Sequence, residues 1–284
     1  MPTDDSPLQA AADTASDVVE QATDAVDRAI DEITGVPSDD GRIEEFSHDG
    51  ATLIAEERGD RAATRTFVLV HGIGMGRKVF ADLVQHLDGD ALVVAVDLPG
   101  YGDAPEPERT PAMERLADLV AAYVRHLGRG PVILLGHSMG TQVVTEVAVR
   151  HPDAVERIVL VAPTVDRHHR HPLTQLWRLG RDLLGESVKV LLLGGREYLR
   201  AGPHLRRKMH AMLVHRPEDA YPRIAVPTLV VRGELDVVVP QPWFDEVVAA
   251  IPDATSFVVE GHHHETLIRT AEPTVAELRR WLDG

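Results

Sequence analysis

Ser138 stands in Gly136-His137-Ser138-Met139-Gly140, directly after the apolar run Pro131 to Leu135 and before a helix-like stretch through Val144. Strand, sharp turn and helix in that order hold a serine hydroxyl out at the C-terminal edge of a sheet. Side chains at Gly136 and Gly140 would clash where strand and helix come close, so the pattern needs glycine there. The Ser138 Oγ is then expected to face the next helix's N-terminus, where the Met139 amide points the same way and serves as an oxyanion donor. Gly-x-Ser-x-Gly alone is a weak signal, because glycine and serine are common in loops. It gains weight only if a base, an acid and a second oxyanion donor stand at suitable places in the chain.

A serine hydroxyl is a poor nucleophile at neutral pH and needs a base held by an acid. Arg232-Gly233-Glu234-Leu235-Asp236 follows the apolar run Val226 to Val231, which places Asp236 at the same sheet edge as Ser138. Asp236 is the expected acid, with Glu234 and Asp166 as alternatives. The next apolar run ends in Val258-Val259-Glu260-Gly261-His262-His263-His264-Glu265, so the expected base is one of three adjacent histidines. Neighbouring loop side chains diverge, so these histidines are not expected to bind a metal, with Glu265 or with His168, His169 and His171. The second oxyanion amide is expected from His71-Gly72-Ile73-Gly74, after the apolar run ending at Val70, with the Ile73 amide as donor. His71, Gly72, His137 and Trp177 are the expected substrate contacts. The glycine-rich run His71 to Gly76 lacks the Gly-Lys-Ser/Thr end of a phosphate loop.

The elements that must position these residues follow from hydrophobic patterning. Residues 42–46 and 51–57 flank His48-Asp49-Gly50, a hairpin signal. Thr66 to Val70, Ala91 to Val96 and Arg157 to Val161 read as strands buried on both faces. Pro111 to Leu127 carries Leu116, Leu119, Val120, Tyr123 and Leu127 on one helical stripe. Thr274 to Leu282 reads as the last helix. Strands alternating with helices imply an α/β fold with a mostly parallel sheet flanked by helices. Residues 164–222 break the pattern. They read as short helices inserted as a lid between core segments 42–163 and 223–284, with Leu173, Leu176, Trp177, Leu179, Leu183 and Leu184 as an apolar face. Arg167 to His171 form a basic cluster within it, read as a solvated surface balancing local acids. Residues 1–40 read as an acidic amphipathic helix or tail, with Val18, Val19, Ala22, Val26, Ala29, Ile30 and Ile33 at helical spacing.

The 284 residues carry a net charge of −16, which argues against nucleic acid and anionic membranes as partners. The chain has no cysteine, so it has no disulfide, thiolate metal site or cysteine nucleophile. Lysine stands only at Lys78, Lys189 and Lys208. No stretch approaches the roughly 20 apolar residues of a membrane span. The first residues lack the positive start and apolar core of a secretion signal, and a cytoplasmic location is expected.

Five motifs together resemble the α/β-hydrolase fold family with a lid: His71 to Gly74, Asp97-Leu98-Pro99-Gly100-Tyr101-Gly102, Gly136 to Gly140, Gly233 to Asp236 and Gly261 to His264. The resemblance covers residues 42–284. It implies the chain order nucleophile, acid, base, and a base in a Pro-Gly-x-x-His pattern. Here that pattern selects His264, with Glu260 in place of the proline, whereas a direct Gly-His reading selects His262. The chain departs from the family where members commonly read Gly-x-Gly-x-Ser, since Asp103-Ala104-Pro105 stands there. A serine nucleophile separates it from family members that use aspartate, the haloalkane dehalogenases and epoxide hydrolases. The resemblance implies a serine hydrolase acting through Ser138, Asp236 and His264 on a carboxylic ester or related acyl small molecule; that mechanism needs no cofactor and no metal, and the leucine-rich lid favours an apolar substrate. Lipases, thioesterases, lactonases, C–C bond hydrolases and acyltransferases use the same constellation. A non-catalytic binding or scaffold member is the alternative from another class.

Overall fold

The computed structural model describes residues 41–171 and 204–284. The acidic segment 1–40, Trp177 and the apolar residues of 173–193 lie outside the described residues. Eight strands form one sheet: β1 (Arg42–His48), β2 (Ala51–Gly59), β3 (Thr66–Val70), β4 (Leu92–Asp97), β5 (Val132–His137), β6 (Val155–Val161), β7 (Thr228–Gly233) and β8 (Ala254–Val259). Their order is β1-β2-β4-β3-β5-β6-β7-β8. The first two pairings are antiparallel and the rest parallel. The hairpin joining β1 and β2 turns on Asp49 and Gly50, both at positive φ (51° and 75°). This is the twist a two-residue hairpin loop needs, and it is open to Asp-Gly.

Among the described residues the helices are α1 (Ala81–Leu87), α2 (Met113–Leu127), α3 (Met139–Arg150), α4 (Leu205–Val214), α5 (Gln241–Ala250), the single turn α6 (Thr266–Arg269) and α7 (Glu272–Asp283). The parallel strands supply a core to each face by simple alternation. Val68, Val70 and Leu134 join an apolar cluster with α2, α3, α4 and α5. Phe67, Leu69, Ile133 and Leu135 join the opposite cluster with α1, α6 and α7. Every residue of β3, β4 and β5 is buried, which is why these segments read as unbroken apolar runs. The result is a three-layer α/β sandwich whose strand ends gather the loops after β3, β4, β5, β7 and β8 along one edge.

The expected insertion is described at its two ends, 164–171 and 204–222. Neither end stands apart from the core, because Val165 of the first end and Met212, Leu213 and Tyr221 of the second pack in the same cluster as α3 and α5. Gln142, fully buried on α3, donates from Nε2 to the carbonyls of Thr164 (3.1 Å) and Met212 (3.2 Å), and so holds both ends. Arg170 donates to the carbonyls of Leu213 (3.0 Å) and His215 and pairs with Glu218. Three more members of the basic cluster meet acids in the same way. Arg167 and His168 meet Glu246, and His169 meets Asp166.

Candidate active site

Ser138 follows β5 at φ 52°, ψ −117°, a conformation L-residues seldom adopt. The surrounding glycines explain how the turn closes. A Cβ on Gly136 would lie 2.4 Å from the Gly140 oxygen, and one on Gly140 would lie 2.2 Å from the Val70 oxygen. Strand β5, helix α3 and the end of β3 are therefore in backbone contact at this turn.

Loops from β7 and β8 bring two side chains to Ser138. His264 Nε2 lies 3.0 Å from Ser138 Oγ, and its Nδ1 lies 2.9 Å from Asp236 Oδ2. With Nδ1–H donated to the carboxylate, the Nε2 lone pair faces the serine hydroxyl, which donates to it. Asp236 is fixed in turn, since its Oδ1 accepts from the amides of Val238 (2.8 Å) and Val239 (2.9 Å). Arg232 donates to the Asp236 carbonyl at 3.1 Å. Asp236 and His264 are each 2% exposed and Ser138 is 7% exposed, so this chain of bonds is shielded from bulk water. The alternative acids are engaged elsewhere. Glu234 accepts from the Gly261 amide, and Asp166 accepts from the amide of His168 and the ring of His169. His262 turns its Nδ1 to the Glu260 carbonyl at 2.9 Å. Among the described residues the three adjacent histidines form no group able to close on one metal ion; the only such group is Glu114, Glu146 and His215.

The loop after β3 lies against the serine. A Cβ on Gly72 would sit 3.1 Å from Ser138 Cβ and 3.3 Å from His137 Nδ1. Met139 is the first residue of α3, so its amide has no partner a turn earlier in the helix. Neither the Met139 nor the Ile73 amide enters a turn or loop hydrogen bond among the described residues.

His71 and His137, expected as substrate contacts, are both fully buried. His71 donates from Nδ1 to the Gly72 carbonyl (2.7 Å) and accepts at Nε2 from the Leu98 amide (3.1 Å). Its ring therefore spends both nitrogens tying the loop after β3 to the loop after β4. His137 directs Nε2 at the His264 carbonyl, 3.1 Å away. Burial pushes the pKa of both rings down, with His264 adding to the effect at His137, whose value falls to about 3. Both are neutral in the fold, whereas in the unfolded chain each binds a proton below about pH 6.5. Their contribution to stability is thus present above that value and is lost as pH falls toward the folded value. His137 is expected to cost about 1.4 kcal/mol per pH unit in that window, and His71 acts in the same direction. Urea unfolding at pH 7.5, 6 and 5 checks this. A stability that stays flat across the range contradicts it, and His137→Gln is expected to make the slope shallower.

Two residues that frame the site are not singled out by the sequence. Arg77 follows the loop after β3 and binds Asp97, Asp103 and Glu56. Lys208 on α4 is 2% exposed, donates to the Gly100 carbonyl and to Glu106 (2.7 Å), and lies 4.4 Å from the Tyr101 ring centre. The one signal the sequence offers for Lys208 is rarity, as one of three lysines in an arginine-rich chain.

The arrangement invites comparison with known proteins. A family model described as the alpha/beta hydrolase fold matches residues 65–186, and one described as TAP-like protein matches residues 212–283. The chain is similar to a pimeloyl-[acyl-carrier protein] methyl ester esterase of Neisseria meningitidis serogroup A, 28% identical over 260 residues, 78% of each chain. It is also similar to a 2-(acetamidomethylene)succinate hydrolase of Mesorhizobium japonicum, 26% identical over 92% of this chain and 99% of that one. In fold it resembles a thermophilic esterase from Thermogutta terrifontis, with a TM-score of 0.70, 21% identity and coverage of 85% and 98% of the two chains. The two models together span strands β3 to β8, and the strand order and the turn at Ser138 are in keeping with that fold. The chain belongs to the α/β-hydrolase fold family and is one of its hydrolases.

Proposed function

We propose that the protein hydrolyses a carboxylic ester or closely related acyl compound through Ser138, His264 and Asp236. The observation that carries this reading is the unbroken, buried line of bonds from Asp236 Oδ2 through His264 to Ser138 Oγ, at 2.9 and 3.0 Å. His264 takes the serine proton as Oγ attacks the carbonyl carbon. Asp236, held as an acceptor by two backbone amides, keeps the ring in the right tautomer and balances the imidazolium. The amides of Met139 and Ile73 face the oxygen that gains negative charge. The leaving alcohol departs with the proton from His264. Water, deprotonated by the same ring, then cleaves the acyl-enzyme. Gly72 contributes by lacking a side chain, which lets the backbone come close to Ser138. His71 serves the loop's shape rather than the substrate.

We assign substrate choice to the insertion spanning 164–222 and expect its apolar residues, Trp177 among them, to favour an apolar acyl group. The leucine-rich sequence from 173 supports that assignment, as does a methyl ester in the name of one relative. A panel of p-nitrophenyl esters from acetyl to decanoyl tests the reading. Saturable hydrolysis, with kcat/KM rising by about tenfold or more from the shortest to the middle chain lengths, is the expected result. Rates that match a Ser138→Ala control across the panel would overturn it.

A further inference from the structure

We propose that His137 is a positioning residue that acts through His264, holding the base's own backbone from the residue next to the nucleophile. His137 is the last residue of β5 and the covalent neighbour of Ser138. Its Nε2–H donates to the carbonyl of His264 at 3.1 Å, and the two rings stand 5.3 Å apart. The Oγ-to-Nε2 contact of 3.0 Å is thus governed at both partners by one dipeptide: Ser138 supplies the hydroxyl and His137 anchors the loop that carries the imidazole. Further bonds hold the neighbouring residues of that loop. The Leu235 amide holds the His262 carbonyl, Glu234 holds the Gly261 amide, and the Glu265 carbonyl accepts from Ile268.

The surroundings keep this donor ring neutral beside the base. The groups facing His137 are His264, His71, Asp236 and Glu265, whose Oε2 lies 3.8 Å from His137 Nε2. A proton on His137 would set a second cation beside the imidazolium that forms on His264 during the reaction. Complete burial and the nearness of His264 keep that proton off. Gly72 completes the arrangement, because a Cβ there would crowd Ser138 Cβ at 3.1 Å and His137 Nδ1 at 3.3 Å.

The inference rests on the Ser138–His264–Asp236 reading, and its test separates the two. His137→Phe keeps a ring of similar size without the donor, and His137→Gln offers an amide donor in its place. Steady-state ester hydrolysis across pH is measured for each, with the downfield proton resonance of the His264–Asp236 bond followed by NMR on the full chain. His137→Phe is expected to lower kcat by about 10- to 100-fold, leave KM within about twofold and move the acid limb of kcat/KM to lower pH as the Asp236 contact loosens. It should also broaden the downfield resonance. His137→Gln is expected to recover most of kcat and the resonance. Should the phenylalanine variant not fold, His137→Asn, whose shorter amide cannot reach the carbonyl, carries the same expectation. Wild-type kcat and an unchanged resonance in the donor-less variant would overturn the proposal, as would equal losses in the glutamine variant while it stays folded. Absence of any hydrolysis by the wild type would count against the hydrolase reading, and the resonance would still decide whether His137 positions His264.

Discussion

Ser138→Ala is expected to lower kcat for ester hydrolysis by about 10⁴- to 10⁶-fold and to leave the protein folded. The size of the loss follows from removing the atom that, on the proposed reading, forms the covalent intermediate. What survives is whatever the oxyanion amides and substrate positioning give to direct attack by water. Asp236→Asn should fall nearly as far, by about 10⁴-fold. The amide would still fill the space between Val238, Val239 and His264, but it favours the wrong imidazole tautomer. Because members of such a triad act as a unit, the double variant Ser138→Ala, Asp236→Asn should be no slower than Ser138→Ala alone. Additive losses would mean that Asp236 works by some route other than His264.

The largest expected effect on stability belongs to Arg77. Its guanidinium is 6% exposed and meets Asp97, which is fully buried, together with Glu56 and Asp103. Arg77→Met fills the same space but leaves Asp97 as a buried carboxylate whose main counter-charge is gone. The backbone amides of Arg77 (2.5 Å) and Asp103 (3.0 Å) still donate to it. Truncating one partner of a buried ion pair costs about 3–5 kcal/mol, and urea unfolding is expected to show a loss of that size. Pairing Arg77→Met with Asp97→Asn should return much of it, because the stranded charge goes with the second change. A loss under about 1 kcal/mol in the single variant would show that water or a neighbour satisfies Asp97. Arg77 also sits between the loops after β3 and β4, so the variant is expected to lower activity at temperatures where it remains folded.

Much of this is legible in the residues, and the reasons are physical. Strands β3, β4 and β5 are buried on both faces, so apolarity alone marks them. Asp49-Gly50 marks the hairpin because few other pairs accept two positive φ values in succession. The order β1-β2-β4-β3 is not legible, because nothing in a strand's composition states which neighbour it pairs with. Helices α1 and α5 carry weak signals. Ala81–Leu87 spans only two turns and includes Asp82 and His86, while Gln241–Ala250 buries only Trp243, Phe244 and Val247, a narrow stripe. At the site, residue type and chain order single out Ser138 and Asp236. Choosing among His262, His263 and His264 requires the loop's path, since adjacent residues point apart and one of them meets both Ser138 and Asp236. His71 and His137 resemble substrate contacts only because they flank the serine in sequence or motif. Their burial and their backbone partners are tertiary facts that no local pattern carries.

The most direct test of the central claim is labelling of the purified protein with a fluorophosphonate probe, followed by peptide mass spectrometry. An activated serine reacts whatever the natural substrate. The expected result is stoichiometric modification at Ser138, abolished in Ser138→Ala and strongly slowed in His264→Ala. Folded protein that stays unlabelled at Ser138, or a His264→Ala variant that labels as fast as wild type, would contradict the account.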